Sequence, residues 1–275
     1  MCRVVDLQQA VLARNDEDAQ DLRAVLARRG TVAVNLLSSP GSGKTALLEA
    51  ELSLAKQRGV PAAALTADLA TENDALRLAR SGVPVKQVLT DGLCHLEAAM
   101  LRGHLTGWLP DDTRLLFVEN VGNLVCPASY DLGESLRVAL ASVTEGEDKP
   151  LKYPTAFGLA GLVVVTKTDL AEAVDFDEAA FRANVARVNP GVEILLTSAR
   201  TGTGTGELLA RALAVLDGAP AHRPVMATGP AQSRSHGHDH SHEHGHGHDH
   251  EHGHELDHRH GVQNGRPPVL AEEGR

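Results

Sequence analysis

Thr31-Val32-Ala33-Val34-Asn35-Leu36-Leu37-Ser38-Ser39-Pro40-Gly41-Ser42-Gly43-Lys44-Thr45 is the stretch on which the fold turns. Thr31 to Leu37 is apolar and partly β-branched, the pattern of a strand buried on both faces. Beyond the Gly-Ser-Gly-Lys-Thr turn, Thr45 to Arg58 carries apolar residues at helical spacing. Strand, glycine-rich turn and helix form the context that a phosphate-binding loop requires. Glycines let the backbone curl until its N–H groups converge on phosphate oxygens, and the helix N-terminus adds partial positive charge. Gly41, Ser42, Gly43 and Ala46 are therefore expected at the nucleotide, with Lys44 on the β and γ phosphates and the Thr45 hydroxyl on Mg²⁺. Ser38 stands where the standard pattern has its first glycine. Serine holds many turn conformations, so the match survives.

Working outward, the chain alternates. Strands are expected at Pro61–Thr66, Val83–Leu89, Leu115–Glu119, Leu136–Val143, Leu162–Val165 and Ile194–Leu196. Helices are expected at Thr71–Arg80, Leu93–Arg102, Phe176–Val188 and Gly206–Leu216. Residues 1–30 read as one long helix or two, the pattern being interrupted by Asn15-Asp16-Glu17-Asp18. The fold class is α/β: a P-loop domain with a mostly parallel sheet covered by helices on both faces. The folded part is expected to span residues 1–218. Residues 219–275 read as a disordered linker and tail, entered through Gly218, Pro220, Pro224, Gly229 and Pro230.

Further nucleotide elements follow in order, each at the C-terminal end of a strand, where ligands of such sheets bind. Asp68 is a candidate to hold Mg²⁺ or position the attacking water, with a helix cap or surface residue as the plainer alternative. Glu119-Asn120-Val121-Gly122 offers a Mg²⁺ carboxylate, Glu119, and a glycine N–H, Gly122, able to sense the γ-phosphate. With Lys44 and Asp68, Glu119 completes the expected catalytic set. Thr166-Lys167-Thr168-Asp169 reads as a variant of the guanine motif Asn-Lys-x-Asp, with Thr166 replacing the amide. Asp169 can accept from the guanine N1–H and amino group, a donor pair that adenine lacks, while Lys167 lies across the base. Ser198 and Ala199, after Thr197, resemble the last base-contacting loop. The implied nucleotide is GTP.

Composition narrows the alternatives. The chain has 275 residues, 26 Lys and Arg, 36 Asp and Glu, and a formal charge of −10. Such an acidic balance argues against wrapping nucleic acid. The most apolar run, Phe157–Val165, is about nine residues against the roughly twenty needed to cross a membrane. Three cysteines make no disulfide framework, and the N-terminus shows no secretory apolar region, so the expected compartment is the cytoplasm.

Cys94, His95 and Cys126 sit beside nucleotide elements, and Cys126 follows Glu119 by seven residues. Thiolate and imidazole suit Ni²⁺, Zn²⁺ or copper rather than Mg²⁺. Two Cys and one His do not close a tetrahedral set, and a two-fold dimer would double the supply. On spacing alone, buried free thiols with a capping His are the simpler alternative. Cys94 and His95 are expected at the start of the helix Leu93–Arg102.

The second signal is the tail, where twelve of fifteen histidines fall within 25 residues: His236, His238, His240, His242, His244, His246, His248, His250, His252, His254, His258 and His260. A flexible chain rich in imidazole can gather several ligands around one Ni²⁺ ion. A purification tag or a solvated tail without metal function are the alternatives. Interleaved Gly, Asp and Glu argue against a tag.

The blocks Ser39–Thr45, Asp68–Asp74, Cys94-His95-Leu96, Glu119–Pro127 and Thr144–Asp148 together resemble the HypB family, the GTPases of nickel insertion into nickel–iron hydrogenase. The resemblance covers about residues 4–217, and Glu-Asn-Val-Gly-Asn-Leu-Val-Cys-Pro is its most specific block. It implies a P-loop GTPase of the signal-recognition and MinD-related (SIMIBI) class and a homodimer promoted by GTP. It also implies an interface metal site at Cys94, His95 and Cys126, holding nickel or zinc. The implied partners are a small zinc-containing, HypA-type nickel maturation factor and, indirectly, the hydrogenase large subunit. The family's N-terminal Cys-x-x-Cys-Gly-Cys cluster is matched here only by Cys2, which leaves the His-rich tail as the candidate nickel store. A urease-type nickel GTPase is disfavoured, because Ala128 follows Cys126-Pro127 where that family has Cys-Pro-His. A chain acting mainly as a nickel buffer is the other alternative. No arginine finger is identifiable, so slow hydrolysis is expected.

Overall fold

The computed structural model describes residues 2–68, 73–90 and 92–227. The side chains of residues 2–8 and of Asp68 lie outside the described set, as do the expected Thr71 cap and the whole histidine cluster from His236 to His260.

Helix α1 (Cys2–Arg29) leads into β1 (Val32–Ser38), α2 (Lys44–Gln57), β2 (Ala62–Asp68), α3 (Asn73–Ala79), β3 (Val85–Leu89), α4 (Ala98–Leu105) and β4 (Leu115–Glu119). Then come β5 (Leu136–Ser142), the short helices α5 (Lys149–Lys152) and α6 (Pro154–Gly158), β6 (Leu162–Thr166), α7 (Glu178–Val188), β7 (Ile194–Leu196) and α8 (Glu207–Leu216). The strands form one parallel sheet in the order β3-β2-β4-β1-β5-β6-β7. All seven residues of β1 are buried. The chain leaves β1 toward β2 and β3, returns to β4, and then crosses to β5 on the other side. This reversal at β1 is the crevice where α/β sheets bind ligands.

Side chains alternate between the two covered faces. Leu115 and Phe117 pack with Leu47, Leu48 and Leu52 of α2 and Leu208 and Leu209 of α8, whereas Leu116 and Val118 pack with Leu22 and Leu26 of α1 and Leu101 and Leu105 of α4. A third cluster gathers Val163 and Val165 with Phe157 and Phe181. At each crossing the sheet thus buries both faces of a strand, as the continuous apolar runs required.

Of the two readings of residues 1–30, one long helix is the one observed: α1 runs through Asn15–Asp18 because Asn15 is a buried bracket rather than a terminator. Its amide donates to the Asp131 carbonyl at 2.8 Å and accepts from Ala98 N at 2.9 Å. The expected start of α4 is corrected: that second bond caps α4 from another helix, and it moves the start of α4 from Leu93 to Ala98. Glu97 is extended (φ −107°, ψ 154°), and Thr90 and Leu93 close a turn on each other (Leu93 N to Thr90 O 2.9 Å, Thr90 Oγ1 to Leu93 O 2.6 Å). Cys94 and His95 therefore lie in a loop before the helix, not at its start. Helices α5 and α6 were not anticipated; each carries a proline in its first turn.

A largely enclosed ion pair lies at the start of β5. Arg137, the second residue of β5, donates from Nε to Glu134 Oε1 at 2.6 Å and from its two terminal nitrogens to the carbonyls of Ala128 and Tyr130, each at 3.0 Å. Leu132 N donates to Glu134 Oε2 at 2.7 Å. Burial alone would push the Glu134 carboxyl up, but the Arg137 guanidinium outweighs it and holds Glu134 at about 2.

Glu134→Gln leaves a buried guanidinium without its counter-charge and is expected to destabilise the fold by about 3 kcal/mol at neutral pH. Because the folded carboxyl titrates below its unfolded value of about 4.3, the ion-pair contribution is intact above that pH. It is lost as pH falls toward 2. Urea unfolding of both proteins across this window should show the gap between them closing as acid is added.

Candidate functional site

The phosphate loop leaves β1 at Ser38 and enters α2 at Lys44. Gly41 (φ 73°) and Gly43 (φ 94°) hold left-handed conformations that a side chain would strain, which explains both glycines. Lys44 Nζ donates to Ser38 Oγ at 3.0 Å. The serine in place of the first motif glycine thus serves as a partner for the loop lysine. Ser42 Oγ donates to Ser39 O at 2.9 Å and stiffens the turn. A cleft of about 480 Å³ opens over the loop, bounded by Lys44, Thr45, Ala46, Glu119, Gly122 and Lys167 among others.

Glu119 ends β4 in the register that places it beside Leu36 of β1 and Thr66 of β2. It is 2% exposed and accepts from Thr45 Oγ1 at 2.6 Å through Oε1. Burial raises its pKa, and the Lys44 charge and the Thr45 hydroxyl work against that rise. Glu119 Oε2 and the neighbouring Thr66 Oγ1 are buried against each other, and neither has a further hydrogen-bond partner among the described residues. Unsatisfied acceptors beside a threonine hydroxyl and a phosphate cleft are the donor set that a hard divalent cation requires. Gly122 approaches the phosphate loop so closely that a Cβ there would lie 3.2 Å from Pro40 Cα.

A second cavity of about 320 Å³ adjoins the first, sharing Gly43, Ala46 and Lys167 with it. Thr166, Asp169, Ser198, Ala199 and Arg200 complete most of its wall. Asp169 Oδ1 accepts from Ser198 Oγ at 2.6 Å and Oδ2 from Arg200 Nε at 2.9 Å; the Ser198 hydroxyl, with help from Arg200, holds this carboxyl below its usual range. An ionised carboxylate keeps free lone pairs for two further donors. Lys167 (φ 57°) turns left-handed and reaches back to donate to Gly41 O at 2.7 Å. The Thr166 hydroxyl donates to Ser42 O, so the residue replacing the motif asparagine tethers the base loop to the phosphate loop.

Cys94, His95 and Cys126 converge at the mouth of a different loop pair. Contact with Cys126, ahead of burial, holds the Cys94 thiol above its ordinary value, so the two sulfurs are neighbours. Cys94 Sγ lies 3.6 Å from His95 Nδ1. The His95 ring stacks on Tyr130 with centroids 3.9 Å apart, and its buried Nε2 has no hydrogen-bond partner. Glu97 Oε1 is 3.6 Å from that nitrogen. Among the described residues, no group of three or more His, Cys, Asp or Glu is gathered closely enough to hold a metal ion. Soft donors are thus present in an incomplete set. Asp68 ends β2 at the same sheet edge, with its side chain outside the described residues.

Sequence reasoning missed several residues here. Asp74 and Arg77 of α3 bound the phosphate cleft, with Arg77 Nε on Glu49 Oε2 at 2.6 Å. Arg200 braces Asp169, and Tyr130 supports His95. Of these, only Asp74 lies in a recognisable block, Asp68–Asp74, which gives it no role of its own; Arg77, Arg200 and Tyr130 lie in none.

A phosphate loop at the sheet's switch point, joined to a base cavity with an ionised aspartate, defines a P-loop nucleotide-binding protein. The family model described as CobW/HypB/UreG, nucleotide-binding domain, matches residues 32–196. The hydrogenase maturation factor HypB of Azotobacter vinelandii is 48% identical over 209 residues, covering 76% of this chain and 68% of that protein. The crystal structure of HypB from Archaeoglobus fulgidus superposes with a TM-score of 0.69 at 38% identity, over 74% of this chain and 100% of that one. HypB from Helicobacter pylori in complex with nickel gives 0.66 at 37% identity, over 74% and 94%. The chain belongs to the CobW/HypB/UreG family, within its HypB hydrogenase maturation factors.

Thr166→Val removes the tether between the two nucleotide loops and is expected to weaken GDP binding about tenfold, by the loss of one buried hydrogen bond. Thr166→Asn, which restores a donor, should recover most of that loss. Titration with a fluorescent GDP analogue measures both.

Proposed function

We propose that this chain is a GTP-hydrolysing nickel metallochaperone acting in maturation of nickel–iron hydrogenase. The observation that carries this reading is the short segment from Glu119, in contact with Thr45 of the phosphate loop, to Cys126, in contact with Cys94. One stretch of backbone thus borders the nucleotide and the soft-donor cluster.

The nucleotide spans both cavities, phosphates over Lys44 and base against Lys167 and Asp169. Asp169 accepts from the guanine N1–H and amino group with both oxygens already oriented by Ser198 and Arg200. Lys44 and the backbone N–H groups of the loop offset charge on the β and γ phosphates. Thr45 and Glu119 are the residues that would hold Mg²⁺, which supplies electrostatic stabilisation of the transferring phosphoryl group. Asp68 or Glu119 orients the attacking water. Turnover is slow, which suits a switch that stays in its GTP state.

Nickel is cargo. Cys94, His95 and Cys126 supply part of its ligand set, and a second copy of the chain supplies the rest in a GTP-promoted homodimer. Zn²⁺ fits the same donors. The exposed apolar side chains of Leu89, Leu93 and Val125 flank these ligands and give a partner surface. By reciprocity, if GTP favours the dimer and the dimer holds metal differently, each ligand alters the other's affinity. The histidines from 236 to 260 form a nickel store, and residues 219–275 are its linker and tail. Nickel passes onward with a HypA-type zinc-containing factor to the hydrogenase large subunit. The compartment is the cytoplasm; among the described residues no helix is long and apolar enough to cross a membrane.

Two measurements test this reading. Asp169→Asn exchanges an acceptor for an amide and should move preference from GTP to XTP by about two orders of magnitude, since a site built for one hydrogen-bond pattern rejects the other; equal binding of ATP and GTP by the unaltered protein would sink the guanine assignment. Cys126→Ala should abolish the thiolate-to-nickel absorption band while GTP affinity stays within about twofold, in keeping with the small effect of changes away from the bound ligand. A band unchanged in the variant would remove the metal assignment.

A further inference from the structure

Two asparagines and an ion pair are enclosed where the apolar strands β4, β1 and β5 meet, with Asn35 and Arg137 in the strands and Asn120 and Glu134 just outside them. Asn35 of β1 is fully buried, Asn120 at the end of β4 is 1% exposed, and the Glu134 and Arg137 side chains are 6% and 13% exposed. Buried amides and charges are costly unless they are satisfied by one another. Here they form a chain. Asn120 Nδ2 donates to Asn35 Oδ1 at 3.4 Å, and Asn35 Nδ2 donates to Glu134 Oε1 at 3.5 Å. Glu134 Oε1 also takes Arg137 Nε, and Arg137 holds the carbonyls of Ala128 and Tyr130. The sheet register places Asn35 opposite Val118 on β4 and Arg137 on β5, and its side chain reaches Asn120 just past the end of β4 and Glu134 just before the start of β5.

The two ends of this chain are different sites. Asn120 follows Glu119 and binds Val121 N through its own Oδ1 at 2.9 Å, which orients the segment carrying Gly122. At the other end, Ala128 and Tyr130 belong to the turn that begins at Cys126, and Tyr130 stacks on His95. We propose that Asn35, Glu134 and Arg137 are positioning residues that tie the nucleotide-side segment Glu119–Gly122 to the metal-side turn Cys126–Tyr130. This inference rests on the two-site reading above and names the residues that couple the sites.

The geometry supplies the mechanism. Movement of Asn120 with the state of the γ-phosphate shifts the amide of Asn35, and with it one oxygen of Glu134. Arg137 is a planar fork, so a change at its Nε is passed to both carbonyl contacts together. The turn then reorients Tyr130 against His95 and displaces the Cys126 sulfur. Metal sites tolerate changes of only about 0.2 Å in ligand distance, so small displacements alter affinity.

The test uses the full chain with GDP and with a non-hydrolysable GTP analogue. Nickel is titrated while the thiolate-to-nickel band is followed, to which the tail histidines contribute nothing. The unaltered protein is expected to show at least about a fivefold difference in nickel affinity between nucleotides, the lower range for coupled sites. Asn35→Val breaks the chain at its centre and should bring the ratio below about twofold, as coupling variants distant from both ligands do. GTP affinity should stay nearly unchanged. Arg137→Lys keeps the charge and gives up the fork on the two carbonyls, and should have the same effect. Hydrogen exchange of residues 124–130 in metal-free protein gives a second readout, with nucleotide-dependent protection in the unaltered chain that disappears in both variants. Retention of the affinity ratio or of the exchange difference in the variants overturns the relay. So does the absence of any nucleotide dependence in the unaltered protein. A missing thiolate band in every state instead fails the metal site itself, and the exchange experiment then still decides the relay.

Discussion

β1 is buried on both faces and hydrogen-bonded along both edges, and the rest of the site depends on that confinement. Its neighbours β4 and β5 approach from opposite crossovers, so its C-terminal end lies at the switch point where such sheets form a crevice. A chain leaving there must turn at once. Gly41 and Gly43 make the turn by entering left-handed conformations, and α2 follows with its free N–H groups directed at the crevice. The same confinement brings the ends of β4 and β6 alongside, so Glu119 meets Thr45 and Thr166 meets Ser42.

Electrostatics then distinguish the groups collected at this edge. Glu119 is buried and short of partners, and its pKa rises despite Lys44; a cation would complete it. Asp169 is held ionised by Ser198 and Arg200 and can accept from a base. Glu134 is also largely enclosed, but Arg137 beside it, with backbone N–H groups, outweighs burial and holds it ionised. Three carboxylates in one domain are thus shifted in two directions, Glu119 up and Asp169 and Glu134 down, each following from its neighbours rather than from its residue type. Glu51 is a fourth case: it is fully buried on α2, its pKa is raised by burial, and it caps α8 by accepting from Gly206 N and Leu209 N at 2.8 and 3.0 Å.

The soft-donor cluster shows how remote contacts make a local loop. Asn15 on α1 caps α4, and that bond leaves Cys94 and His95 in the bend that precedes the helix, where Cys94 meets Cys126. A helix started at Leu93 would have placed the two side chains about 100° apart on a helical surface. Leu93 and Val125, the residues just before Cys94 and Cys126, are exposed. The linker also returns to the domain: His222 Nε2 lies 2.8 Å from Asn189 Oδ1, and the Asn189 amide is bonded to the carbonyls of Phe157 and Ala160.

The sequence by itself determined the α/β class, the phosphate loop, the strand ends that carry Glu119, Thr166–Asp169 and Ser198, and the proximity in chain of Cys126 to Glu119. These features are local: strand periodicity, glycine at positive φ and short motifs leave their mark within a few residues. Only the tertiary structure decided the role of Ser38 beside Lys44, the use of Thr166 as a tether, the loop conformation of Cys94-His95 and the continuity of α1. It alone revealed the buried link from Asn120 through Asn35 to Glu134 and Arg137, although an arginine in the apolar run of β5 was a visible anomaly. Apart from the short-range contacts Ser38–Lys44 and Glu134–Arg137, these pair residues about 80 or more positions apart, and a hydrogen bond across such a distance exists only once the fold has brought its donor and acceptor together.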